Sequence, residues 1–143
     1  MLQIYPNAEF AADFPDDMVE EDGEIVQFPG RNVAEALAGM LQAKGYQSSP
    51  LLDEAQRGWS FEVPVERRRV WLLVSQIDDF ILQTERHAGL FPRKRDEEIH
   101  AEVLTALHEG MSADPRFADI KWRRYDEIQT DAPGRPAPVV RSR

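Results

Sequence analysis

His100 comes closest to a chemical residue in this chain. It falls within a helical pattern whose apolar stripe is Ile99, Val103, Leu107 and Met111, near the middle of that stripe, so it points at a sheet or a partner rather than at water. Glu97 precedes it by one helical turn, and a Glu-x-x-His pair on one helix face is part of a carboxylate-bridged two-metal site. That site needs a second such helix and two further carboxylates, whereas the chain holds one pair. A hydrogen-bonded core histidine is the expectation, with no metal. His108 lies two turns and a little more along the same helix, about 80° away around its axis, so the two rings cannot chelate one ion as an i, i+4 pair does. His87 ends an expected strand, and with Asp78 and Asp79 it offers acid–base groups, although two aspartates at that place are what a tight turn uses.

The acids over residues 13–24 invite a calcium reading, which fails. A loop with Gly23 at its sixth position would need Asp where Met18 stands and Glu where Pro29 stands. Pro29-Gly30-Arg31 precedes a helix as a phosphate-binding turn would, but neither glycine-rich phosphate motif is present. No G-x-S-x-G surrounds a serine, and the absence of cysteine removes disulfides, thiolate metal sites and thiol nucleophiles. No cofactor is expected.

The elements that must position these groups follow from periodicity. Residues 24–28 suit a short strand closed by Pro29-Gly30. A helix follows, with Asn32 as cap, Val33, Leu37, Met40 and Leu41 on one face and Gly45 as its stop. Residues 46–52 suit a strand interrupted by Ser49-Pro50. Trp59, Phe61, Val63 and Val65 alternate with polar residues and Pro64 as on a half-buried strand at an edge. Residues 70–74 are apolar on both faces, as in a central strand, and residues 80–85 read as the third strand of a meander. A second helix spans about residues 93–111, and residues 120–122 begin a last strand. The expected fold is α+β, a mainly antiparallel sheet of four to six strands with two helices on one face, in the approximate order β-α-β-β-β-β-α-β. The expected organisation is an acidic N-terminal arm over residues 1–23, one domain over 24–128, and a Pro-rich disordered tail over 129–143.

Charge is the other informative feature. The net charge is −9, and residues 1–30 carry −8 of it, with eight acids and no Lys or Arg. An acidic arm on a nearly neutral domain points to partners rather than to fold, disfavours nucleic acid, and suits a basic protein partner met through Asp13, Asp16, Asp17, Glu20, Glu21 and Asp22. Three basic clusters, residues 67–69, 93–95 and 121–124, are the counterpart of the arm. Trp71 is on the two-faced strand, so a face without helices would expose it as an interface residue and as a route to a homodimer. The start lacks a secretory pattern and no apolar run spans a bilayer, so a soluble cytoplasmic protein without a membrane role is the expectation.

The segment PGRNVAEALAGMLQAKGY followed by GWSFEV resembles small uncharacterised bacterial α+β proteins, some of which are similar to toxin-neutralising immunity proteins. With that resemblance, the expectation is a small acidic, non-catalytic protein-binding module of the inhibitor or immunity kind that neutralises a basic partner. The alternative is a small enzyme or ligand-binding domain with His87, His100 and Glu97 in a cleft between helices and sheet.

Overall fold

Alternation decides the centre of the molecule. In the computed structural model, which describes residues 2–87, 90–91, 93–127 and 130–142, the elements are β1 (Leu2–Ile4), β2 (Asn7–Ala12), β3 (Val19–Glu21), β4 (Glu24–Gln27), α1 (Arg31–Ala43), β5 (Leu52–Asp53), β6 (Trp59–Val65), β7 (Arg68–Gln76), β8 (Phe80–His87), α2 (Lys94–Ala113), β9 (Phe117–Arg123) and β10 (Val139–Arg141). Six strands form an antiparallel sheet in the order β5-β6-β7-β8-β2-β9. Val70, Leu72 and Val74 of β7 enter one core with Phe61, Val63, Leu37, Leu41, Leu104 and Leu107, so both helices cover the same face. Trp71, Leu73 and Ser75 point the other way. The α+β architecture and, over residues 24–128, the expected order of elements are therefore present. No helix among the described residues is long and apolar enough to cross a membrane.

Residues 1–23 depart from the expected arm. β2 is an interior strand, paired with β8 on one side and β9 on the other, and it drives Ala8 and Phe10 into the core. Phe10 stacks on Phe80 at 5.8 Å and lies 5.5 Å from Phe117, and Phe14 meets Phe117 edge-on. The physical reason is that an interior strand is held by backbone ladders on both sides, so two apolar residues on one face suffice where small Ala8 and large Phe10 fit the space.

The tail also departs from expectation. β10 pairs with β1, the Tyr5 N–H donates to the Pro138 carbonyl at 2.7 Å, and Trp122 and Arg135 exchange two backbone hydrogen bonds of 2.8 Å. Arg135 lies over the Tyr5 ring at 4.5 Å. Backbone pairing of this kind needs little apolar side-chain area, which is why composition misjudged the segment. The boundary expected at 128/129 lies outside the described residues.

Asp22 and Gly23, both at positive φ, link β3 to β4 as the two central residues of a tight hairpin turn. That hairpin forms a sheet of its own. α1 ends as expected: Gly45, at φ 95, and Tyr46 donate to the Gln42 and Leu41 carbonyls in the left-handed stop. Its start differs. Gly30, not Asn32, is the cap residue, and no side chain of its own closes the end.

Candidate functional site

His100 lies beneath a cleft on one side of the molecule, and the acidic residues form a second surface. α2 places His100 against β8, fully buried. The Thr84 hydroxyl donates to the Pro6 carbonyl at 2.7 Å, and a carbonyl can only accept, so the single hydroxyl proton is committed there. The 2.8 Å contact between Thr84 Oγ1 and His100 Nε2 therefore has the ring N–H as donor. This fixes the tautomer and leaves the Nδ1 lone pair to accept from Arg86 Nη1 at 3.3 Å. Burial, and secondly the positive Arg86, push the His100 pKa down to about 4. Both ring nitrogens are in use and the ring is neutral, so His100 is a structural residue that orients Arg86.

Above it opens a cleft of about 460 Å³. Leu2, Ile4 and Pro6 supply an apolar wall; Arg86, Glu97 and Arg124 supply charge. The Tyr125 hydroxyl donates to the Thr84 carbonyl at 2.8 Å and ties the far rim to β8. Glu97 and His100 thus border one cleft, but His87 does not: it is exposed at the end of β8, in register with Arg69. Among the described residues no group of three His, Asp or Glu side chains is gathered as a metal site would need. Arg86 is the site residue that sequence reasoning missed, since nothing in its spacing shows which groups it meets.

The second surface is the acidic region. Asp17 accepts from the Gly30 N–H at 3.1 Å and from the Asn32 N–H at 2.6 Å, so its carboxylate caps α1 from outside the helix. A carboxylate satisfies orphan amides and favours the positive end of the helix dipole. The Pro29-Gly30-Arg31 turn thus does hold an anion, and the anion belongs to the chain itself. Asn32, expected as the cap, instead donates its side-chain amide to the Pro15 carbonyl at 3.0 Å. Asp17→Ala is expected to cost about 1–2 kcal/mol in urea unfolding, through loss of this cap.

Asp16 closes a local turn onto the Met18 N–H at 3.0 Å, and the Asp13 N–H extends the β2–β9 pairing by donating to the Arg116 carbonyl at 2.8 Å. Glu20, Glu21, Asp22 and Glu24 are exposed on the β3–β4 hairpin. In the ladder Glu21 stands directly opposite Glu24. Among the described residues no Lys or Arg lies within ion-pair distance of these four acids. Met18, Val19, Ile25 and Val26 of the same hairpin are exposed as well, Val26 at 50%. Sequence reasoning placed a strand at residues 24–28 but missed β3 and the turn that joins the two, although Asp22-Gly23 is a strong hairpin signal. No protein-family model, curated protein or solved structure matches the chain.

Of the basic clusters, that at residues 121–124 meets the acidic N-terminal segment, where Arg123 pairs with Glu9 at 3.2 Å, whereas Arg68, Arg69 and Arg95 pair elsewhere. Arg68 pairs with the buried Asp96, whose carboxyl is held below the usual carboxylate range by the Arg93 N–H first and by Arg68. Arg69 pairs with Glu62, and Arg95 with Glu66, Glu98 and Glu102. Trp71 is half-buried on the sheet face away from the helices, opposite Glu62 and Glu85 in register, with Arg57 over its ring at 5.6 Å. That face is mixed rather than apolar around it, and Trp71 stands on a different element and surface from the hairpin acids.

Proposed function

We propose that the protein is a non-catalytic binding module that engages a basic protein partner through the β3–β4 hairpin. One observation carries the reading: Glu21 and Glu24 face each other across a lone two-stranded ladder, in a hairpin with four exposed apolar side chains and, among the described residues, no cation at hand. Like charges opposite one another destabilise a hairpin that is already marginal by itself. A partner bringing Lys or Arg beside an apolar patch relieves that repulsion and covers Val19, Ile25 and Val26. The concentration of negative charge at this end favours rapid encounter with such a partner.

Of the acids expected at the interface, Glu20, Glu21 and Asp22 fit this reading and Glu24 joins them. Asp17 serves better as the cap that fixes the hairpin's base, and Trp71 is not needed. The inhibitor or immunity role belongs here too, as one form of such a module, with a cytoplasmic setting and a basic target.

The test uses the wild-type protein and the hairpin variant E20Q/E21Q/D22N/E24Q as baits for affinity capture from the native host. The expected result is a basic protein retained by the wild type and lost from the variant, with matching circular dichroism spectra. Equal capture by both baits contradicts the reading. Light scattering of the wild type alone identifies the competing occupant, a second copy of the chain, by a doubled mass that the variant loses.

A further inference from the structure

The cleft above His100 has features that the hairpin reading does not use. Its cations differ in one respect. Arg124 is compensated by Glu127 at 3.3 Å and by Asp126 at 3.9 Å. Arg86 has no carboxylate within ion-pair distance among the described residues, and its one polar partner is the neutral His100 ring at 3.3 Å. Asp96, the buried acid on the neighbouring helix, is committed to Arg68 and to the Arg93 N–H. The arrangement leaves a guanidinium whose position is set from below by a buried imidazole with both nitrogens hydrogen-bonded.

A guanidinium presents parallel N–H donors in a planar fork that matches a carboxylate. We propose that the cleft binds a small monocarboxylate with an apolar body, its carboxylate on Arg86 and its body along Leu2, Ile4 and Pro6. The volume, about 460 Å³, lies in the range of small-molecule sites and exceeds what a carboxylate alone fills. Glu97 on the same cleft repels a second negative charge, which favours a monoanion over phosphate or a dicarboxylate. His100, fully buried with both ring nitrogens engaged, acts as a positioning residue for Arg86.

The same chemistry comes from a free aliphatic acid or from the C-terminal carboxylate of a peptide, so two probes are used, hexanoate and N-acetylleucine. Each is titrated into the ¹⁵N-labelled full chain to about 20 mM, a range suited to weak fragment binding. The expected result is saturable shifts at Ile4, Arg86 and Tyr125 with at least one probe, and the probe that binds more tightly names the source. Hexanamide and inorganic phosphate are expected to give none. R86Q, at an exposed position, is expected to keep the wild-type spectrum elsewhere and bind about tenfold more weakly, with partial recovery in R86K. Absence of saturation with both probes overturns the proposal. So does unchanged affinity in R86Q, or equal binding of hexanamide.

Discussion

Phe10→Ala is expected to lower the free energy of unfolding by about 3–5 kcal/mol, the cost of a large cavity in a packed core. Phe10 is 1% exposed, sits on the interior strand β2, and fills the space between Phe80 and Phe117. Truncating it removes the ring from both contacts at once, and the backbone of β2, held on each side by β8 and β9, cannot collapse into the void. Urea unfolding followed by circular dichroism measures the effect. A loss below about 1 kcal/mol, the level of an ordinary surface substitution, would place residues 7–12 outside the folded unit. A chain lacking residues 1–12 is expected to be unfolded, because its absence separates β9 from the remaining sheet.

His100 gives the second large effect, as a dependence of stability on pH. In the folded protein its pKa is depressed to about 4, whereas an unfolded histidine titrates near 6.5. Below 6.5 the unfolded chain therefore takes up a proton that the folded one refuses. The contribution is fully present above pH 6.5 and is lost as pH falls through the window down to about 4, reaching about 3 kcal/mol. Arg86, Glu97, Arg124, Tyr125 and Asp126 are the charged or titratable groups around the ring's cleft side. Exposed carboxylates add their own terms, so the discriminating quantity is the difference from His100→Gln, which cannot titrate yet retains a donor and an acceptor. The wild type is expected to lose more stability than the variant between pH 7 and pH 4.5. Parallel pH profiles would show that His100 is solvated and free to protonate.

How far the sequence revealed this molecule depended on whether a feature was periodic or tertiary. β6 and β7 were legible because Trp59, Phe61 and Val63 alternate and residues 70–74 are apolar on both faces. α1 was legible from Val33, Leu37 and Leu41, and α2 from Ile99 to Met111. His100 was legible as a buried residue because it shares that stripe. β2 was not, since its core face shows only Ala8 and Phe10 and a neighbouring Glu9 reads as solvated. β4 was legible as a short strand before Pro29-Gly30, but β3 was hidden by its own acids, which lower strand propensity even though Asp22-Gly23 signals the turn. Asp17 as the α1 cap could not be read, because the carboxylate reaches amides 13 and 15 residues away, beyond any local capping pattern. The β1–β10 pairing escaped for the same reason, since it joins the two ends of the chain through backbone groups. Arg86 shows the complementary limit: its significance lies in which acids have other partners, a property of the assembled fold.

The most direct test of the hairpin as the binding element is the association rate of the captured partner with the wild type and with E20Q/E21Q/D22N/E24Q across a salt series. Electrostatic steering is screened within about 8–10 Å at physiological ionic strength, so its contribution is read from the salt slope. The account predicts that the wild-type rate falls steeply with salt, and that the variant starts about tenfold or more lower at low salt with a flattened slope. Equal rates and equal salt slopes for the two proteins would contradict it.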